Sequence, residues 1–208
     1  MVILSHRGYW KAAVEKNTRV AFQRSFELGF GTETDLRDFG GKLVISHDPP
    51  TADSLLFEDF LSLYQELGND LPLALNVKSD GLQESAKELL ARFNVKEYFF
   101  FDMSIPDALS YARKKLVFFS RRSEYELHPD LYDLAKGVWV DMFLSDWVEE
   151  SDIAPYLSQD KQVCLVSPDL HQRPPEDFWR RVSQWDCALS PSLSLCTDRP
   201  EEAKGFFR

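Results

Sequence analysis

The sequence is poor in cysteine and has no long hydrophobic run. Its 208 residues include three cysteines, Cys164, Cys187 and Cys196, an odd number without CxxC spacing. Such cysteines suit buried, structural thiols in a reducing compartment better than a disulfide framework. No apolar run approaches the roughly 20 residues of a membrane span. Residues 2–4 are too short for a signal-peptide core. We therefore expect no integral membrane segment and a cytoplasmic location.

The chain also has fewer basic residues than acidic ones. The chain has 24 Lys and Arg against 34 Asp and Glu, a formal charge of −10. A surface this acidic repels phosphate backbones, so we expect no nucleic-acid partner. A small anionic ligand remains compatible, because one local cationic site can override a diffuse field. No GxGxxG motif follows the first predicted strand and no Walker lysine is present, which excludes the usual nucleotide-binding fingerprints.

What the sequence does contain is an alternation of predicted strands and helices. No linker or repeat interrupts it, so we predict one domain over residues 1–208. This order indicates parallel βαβ units, in either a doubly wound sheet or a closed barrel. Without a nucleotide-binding motif, we predict the α/β fold to be a (β/α)₈ TIM barrel. The strands are predicted at 2–5, 31–38 (with an extension at 42–47), 71–78, 97–103, 115–120, 136–143, 162–168 and 187–193. Helices are predicted at 18–28, 56–67, 82–93, 105–113, 124–134, 147–157, 175–183 and in 197–207.

Polar residues collect where these strands end. The active site of a (β/α)₈ barrel lies at the carboxyl ends of its strands. Residues two apart on a strand point the same way, so Glu33 joins Asp35 and Asn76 joins Lys78. Such groups are costly in an apolar core unless they pair, bind a metal or meet a charged ligand. Taken singly, Asp102 or Asp141 suits a structural role equally well. A functional site is favoured by the convergence of His6, Arg7, Glu33, Asp35, His47 and Lys78.

These residue types support phosphoryl chemistry. Carboxylate oxygens of Glu33 and Asp35 suit a hard divalent cation such as Mg²⁺ or Ca²⁺. Arg7 and Lys78 have the charge to neutralise phosphate oxygens. Two histidines, His6 and His47, can serve as general base and general acid on the attacking and leaving oxygens. A metal-assisted phosphodiesterase accounts for all of these positions.

Four segments, in order, resemble the motifs of the glycerophosphodiester phosphodiesterases. They are SHRG at 5–8, NTRVAFQRSFELGF at 17–30, ETD at 33–35 and HD at 47–48. TDRP at 197–200 is similar to the family's closing signature. The resemblance implies a (β/α)₈ hydrolase of lipid metabolism that converts a small glycerophosphodiester to glycerol 3-phosphate and an alcohol. In that family a substrate hydroxyl can attack phosphorus, and water then opens the cyclic phosphate.

The resemblance also implies residue roles, and three departures bear on them. Asn76 stands where the family has a glutamate, the third metal ligand. The Glu of the family's ENT motif is displaced, since Lys16 precedes Asn17. The chain after Asp48 lacks the family's usual inserted subdomain. The implied roles are acid–base catalysis for His6 and His47, metal binding for Glu33, Asp35 and Asn76, and phosphate binding for Arg7 and Lys78.

Two alternatives stay open. One is a barrel that binds a phosphorylated small molecule with little or no turnover, which the loss of the glutamate at Asn76 favours. The other is a metal-independent lyase-type phosphodiesterase. Retention of both histidines favours an enzyme, because a binder needs no proton-transfer groups. The headgroup and the oligomeric state are not predicted; aromatic residues such as Tyr9, Trp10, Phe101 and Trp139 suit either a headgroup pocket or, as is commoner for aromatics in barrel strands, packing.

Overall fold

Eight parallel strands form a closed ring. A computed structural model describes residues 1–207. The ten strands of the described chain are β1 Val2–His6, β2 Gly31–Phe39, β3 Lys42–Ile45, β4 Leu55–Leu56, β5 Leu73–Val77, β6 Tyr98–Phe101, β7 Phe119–Arg122, β8 Gly137–Val140, β9 Gln162–Val166 and β10 Leu193–Thr197. Neighbours in the ring pair from β1 through β2, β5 and β6, and from β7 through β8, β9 and β10 back to β1. The seam between β6 and β7 is a single parallel bridge, Phe100 to Phe118.

Seven α-helices cover the outside of this ring in the part of the chain described. The helices pack on the strands through apolar residues at helical spacing. In the second helix the buried face consists of Phe57, Phe60, Leu61 and Tyr64. No helix within residues 1–207 is long and apolar enough to cross a bilayer. The helices are α1 Arg19–Glu27, α2 Phe57–Leu67, α3 Gln83–Arg92, α4 Ile105–Arg113, α5 Glu150–Ser158, α6 Glu176–Val182 and α7 Pro200–Phe206; short 3₁₀ turns span Ala13–Glu15 and Pro168–His171. The predicted (β/α)₈ barrel is confirmed.

Two predicted elements are wrong. Residues 124–134 form turns instead of a helix, because Pro129 lacks a backbone donor and clashes with the preceding turn of a helix. The last strand is Leu193–Thr197, not 187–193. Pro191 cannot donate to a ladder, so the chain turns over residues 187–190 and the strand begins after the proline.

The inside of the ring is packed with side chains. Phe99 stacks on Phe119 at 3.7 Å between ring centroids, and Phe101 on Trp139 at 4.0 Å. These aromatics are therefore core packing and not a headgroup pocket. The layer also contains Leu4, Ala74, Cys164, Val166 and Cys196. This apolar layer fills the inside of the barrel below the side chains at the carboxyl ends of the strands.

Candidate active site

A ring of polar side chains lies directly above this apolar layer. Because inward-facing positions recur every second residue, each strand that contributes an apolar residue to the layer places its next inward residue at the carboxyl mouth. Strand pairing then aligns the polar residues: His6 is level with Glu33, and Asp35 with Asn76. The residues that follow the layer in this way are His6, Asn76, Arg121, Asp141 and Asp198. Strand β2 has no residue in the layer, and its Glu33 and Asp35 join the ring through their pairing with His6 and Asn76.

Glu33 is the more isolated of the two predicted carboxylate ligands. It is 2 % exposed and accepts a hydrogen bond from the backbone N–H of Arg7 at 3.1 Å. Burial, with the neighbouring charge of Asp35, raises the pKa of Glu33 well above its usual value. A cation bound beside Glu33 would therefore stabilise its ionised form.

Asp35 lies between two cations. Its carboxylate is 3.1 Å from Arg7 Nε and 3.3 Å from Lys78 Nζ. Asn17 Nδ2 donates to the same group at 2.8 Å. Both residues predicted to bind phosphate are thus held at the carboxylate pair, with Arg7 20 % and Lys78 21 % exposed, so their charged ends border the mouth.

The β1–α1 connection has an unusual backbone that fixes these contacts. Arg7 and Asn17 both adopt the left-handed region, at φ 56° and 59°, where residues other than glycine are uncommon. Gly8 follows at φ 78°, and a Cβ there would collide with Ala21. Asn17 N–H donates to the carbonyl of Arg7 at 2.9 Å. The Asn17 side chain thereby reaches Asp35, a contact that the sequence motif did not indicate.

Asn76 has one hydrogen-bonded end and one unpaired end. Its Nδ2 donates to Asp102 Oδ2 at 3.1 Å, which orients Oδ1 away from that carboxylate. Oδ1 is buried without a hydrogen-bond partner in residues 1–207. Asp102 in turn pairs with Arg121 at 3.2 Å, while burial raises the Asp102 pKa. Asp102 therefore orients the Asn76 amide from the neighbouring strand.

The two predicted catalytic histidines have different surroundings. His6 is 14 % exposed, with Nε2 3.9 Å from Glu33 Oε2 and Nδ1 2.7 Å from Asp198. His47 follows β3 and is 45 % exposed, with Nδ1 2.9 Å from Asp48. Its backbone carbonyl accepts from the guanidinium of Arg37 at 3.1–3.2 Å. One histidine is thus embedded in the ring and the other lies at its rim.

An open cleft connects the rim histidine to the cationic side of the site. It has a volume of about 500 Å³ and lies between the segment around Asn17 and the chain that follows β3. Arg7 and His47 both line it, whereas His6 does not. The structure therefore brings His6, Arg7, Glu33, Asp35, Asn76 and Lys78 into one cluster, and places His47 on a cleft shared with Arg7.

A third histidine–aspartate contact occupies the far side of the mouth. His171 Nε2 lies 2.7 Å from Asp141 Oδ1, and its ring centroid is 5.2 Å from that of Phe143. Asp141 Oδ1 also accepts the N–H of Met142 at 2.9 Å. These contacts account for Asp141, left open by the sequence, as a group that holds the turn after β9 against β8.

The residues at positions 33, 35 and 76 are chemically compatible with a hard divalent cation. They present two carboxylates and the unpaired amide oxygen of Asn76, the oxygen donors that Mg²⁺ and Ca²⁺ prefer. No group of three or more His, Cys, Asp or Glu suited to a metal occurs within the described chain. The fit therefore depends on a neutral third ligand, which provides less charge than three acids.

Fold and site together define a (β/α)₈ barrel with an acid, cation and histidine cluster at its carboxyl mouth. No protein-family model and no curated protein matches the sequence. Among solved structures, a glycerophosphodiester phosphodiesterase from Agrobacterium tumefaciens aligns with TM-score 0.74 at 13 % identity, over 99 % of both chains.

Two other solved structures share this architecture. A phosphodiesterase from Oleispira antarctica, in complex with the product sn-glycerol-3-phosphate, has TM-score 0.71 at 13 % identity, over 99 % of this chain and 96 % of that one. A Ca²⁺-dependent phosphatidylinositol-specific phospholipase C from Streptomyces antibioticus has TM-score 0.57 at 14 % identity, over 100 % and 96 %. The chain therefore has the fold found in these proteins.

Proposed function

We propose that this chain is a phosphodiester hydrolase that cleaves a glycerophosphodiester to glycerol 3-phosphate and an alcohol. The observation that carries the proposal is the placement of Arg7 and Lys78 around Asp35 beside His6. Two cations at the mouth of an otherwise acidic protein suit a phosphate group. The solved phosphodiesterases of the same fold support the proposal, as does the glycerol 3-phosphate bound to one of them.

In this proposal the chain's own residues bind and orient the substrate. Arg7 and Lys78 take the phosphate oxygens, and the rigid strands β1, β2 and β5 fix them. Such positioning matters because a displacement of about 1 Å can cost 10²-fold in rate. The apolar layer beneath the site excludes water from below.

Proton transfer is assigned to the two histidines. One takes the proton of the attacking hydroxyl while its oxygen forms a bond to phosphorus, and the other protonates the leaving alcohol oxygen as its bond to phosphorus breaks. An internal hydroxyl of the substrate is the first nucleophile, and water opens the cyclic phosphate in a second step with the same groups in reversed roles. Both steps conserve phosphate charge and protons.

Glu33, Asp35 and Asn76 are the residues that would hold a divalent cation, Mg²⁺ or Ca²⁺. When bound, the ion supplies positive charge that neutralises phosphate oxygens as the reaction proceeds. The burial of Glu33 and Asp35 and the unpaired Asn76 oxygen support this assignment. The proposal also includes a single domain over residues 1–208 and a cytoplasmic location, which the three free thiols favour.

A panel of phosphodiesters tests the proposal. Glycerophosphodiesters with choline, ethanolamine, glycerol or inositol headgroups are incubated with Mg²⁺, Ca²⁺ or chelator. We expect turnover of at least one, lost on chelation. Turnover that survives chelator with a cyclic phosphate as end product would instead indicate the lyase-type reaction. Tight glycerol 3-phosphate binding without turnover of any diester would indicate a binding protein.

A further inference from the structure

Asp198 is the closest polar neighbour of His6 and has no role in the reaction described above. Its Oδ1 lies 2.7 Å from His6 Nδ1. The other ring nitrogen, Nε2, faces the site and lies 3.9 Å from Glu33 Oε2. The histidine therefore has one nitrogen engaged by a carboxylate and one directed at the mouth.

Several contacts hold Asp198 in this position. Trp10 Nε1 donates to Asp198 Oδ1 at 3.2 Å, and the N–H of Asp198 donates to Asp169 Oδ2 at 2.7 Å. The hydroxyl of Thr197 donates to the same Asp169 oxygen at 2.8 Å. Lys16 Nζ lies 3.9 Å from the second oxygen of Asp198. Both the backbone and the side chain of Asp198 are thus held by neighbouring groups, which is not typical of a surface aspartate.

We propose that Asp198 is the positioning residue that holds His6 in the tautomer protonated at Nδ1, with the lone pair at Nε2 directed at the substrate. An ionised carboxylate only accepts hydrogen bonds, so Nδ1 must be the donor. A neutral imidazole has a single N–H, which leaves Nε2 as the acceptor.

This tautomer assigns the two histidine roles. His6 Nε2 takes the proton from the attacking hydroxyl as its oxygen bonds to phosphorus, and Asp198 stabilises the resulting imidazolium. His47, at the rim, gives a proton to the alcohol oxygen as its bond to phosphorus breaks. The role of His6 as first base rests on the proposed function, whereas its tautomer does not.

The tautomer is measured directly, without substrate, by two-bond ¹H–¹⁵N correlation spectra at a pH where the imidazoles are neutral. The chain has four histidines, and a His6→Gln spectrum identifies the His6 signals. We expect a protonated Nδ1 and an unprotonated Nε2 in the wild type, and a tautomer mixture in Asp198→Ala. Asp48→Ala is the matched control, because it removes the equivalent carboxylate from His47 and should leave His6 unchanged.

A wild-type His6 protonated at Nε2 overturns the proposal, and so does an unchanged His6 tautomer in a folded Asp198→Ala. If that variant does not fold, the wild-type spectrum alone decides.

Kinetics provide the second readout: kcat should fall by up to about 10²–10⁴-fold in Asp198→Ala with little change in KM, and Asp198→Glu should recover part of it. Absence of any wild-type turnover would reject the proposed function but not the tautomer.

Discussion

Lys78 and Arg7 face opposite oxygens of Asp35, at 3.3 Å and 3.1 Å. The Asp35 carboxylate is 1 % exposed and lies between the two cations, so it holds their charged ends in place. The same two cations are the groups expected to bind phosphate. Their distance from each other is therefore set by Asp35 and not by the substrate.

Replacing Lys78 by Met tests this arrangement, since Met keeps much of the stem and removes the charge. Hydrogen bonds to charged groups contribute about 1.5–3 kcal/mol, so we expect kcat/KM to fall by about 10–150-fold. The fold should persist, because Arg7 and Asn17 still face Asp35.

The matched control is Lys136→Met, an exposed lysine just before β8 at the opposite end of the barrel. Steady-state kinetics and thermal melts of both variants are compared with the wild type. Unchanged kcat/KM in a folded Lys78→Met would place this lysine outside the site.

Asn76 sets the charge of the predicted metal site. Asn76→Glu adds a third carboxylate beside Glu33 and Asp35 and should tighten Mg²⁺ and Ca²⁺ binding by about tenfold or more. Two unit charges 4 Å apart interact by about 1 kcal/mol in water and about 4 kcal/mol at an effective dielectric of 20. Calorimetric titration measures this without any substrate.

Asn76→Gln separates charge from length, because it has the reach of glutamate and no charge. Affinity should rise in the glutamate variant alone. Equal cation affinities in wild type, Asn76→Gln and Asn76→Glu, all folded, would remove residue 76 from the metal shell.

The sequence identified most of the candidate site residues but not how they are held. His6, Glu33 and Asp35 were predictable because short motifs place them at strand ends. Asp198 was not, because the last strand was predicted six residues too early, which put TDRP inside a helix. With β10 at Leu193–Thr197, the inward position after Cys196 is Asp198. The contact of Asn17 with Asp35 depends on a left-handed backbone that no pattern reports.

At the scale of elements, apolar periodicity predicted most helices and strands, including α5 with Pro155 inside it, and was wrong in two segments. Residues 105–113 were predicted as a helix and form α4 with the same bounds. Its start is marked by Ser104, whose side chain accepts the N–H of Asp107, and by a proline in the first turn. Pro129 and Pro191 lie in the two segments that were wrong. Both acted through the missing backbone donor, a local cause that apolar patterning overlooks.

Strand β8 begins at a position with no room for a side chain. A Cβ on Gly137 would collide with the carbonyl oxygen of Gln162 and lie 2.6 Å from the Phe119 ring. We expect Gly137→Ala to destabilise the protein by about 1–3 kcal/mol, the usual cost of overpacking. Urea unfolding measures the change.

Gly205→Ala is the control for this substitution. A Cβ there meets no described atom within 4 Å, and the residue lies in helix α7, where alanine is favoured over glycine. Its stability should be equal to or slightly above that of the wild type. A Gly137→Ala variant as stable as Gly205→Ala would contradict the packing described for β8 and β9.

For the whole molecule, charge and architecture act together. A protein of net charge −10 repels anions at long range, so a phosphodiester is attracted only where cations are held together. The closed barrel meets this need by bringing side chains from β1, β2 and β5 to one mouth, above a floor of stacked aromatics. Arg7 and Lys78 at this mouth are therefore where the substrate of the proposed function, a small singly charged anion, would be attracted.

The proposed reaction is the cleavage of a phosphodiester at this site by acid–base catalysis from His6 and His47. ³¹P NMR of a glycerophosphodiester, with Mg²⁺ or Ca²⁺ present, tests it most directly because diester and monoester phosphorus give separate signals. We expect wild type to convert the diester signal into that of glycerol 3-phosphate, and His6→Ala and His47→Ala to do so about 10²–10⁴-fold more slowly. A diester signal that persists with folded wild type and every cation, or that disappears equally fast in His6→Ala, would contradict the claim.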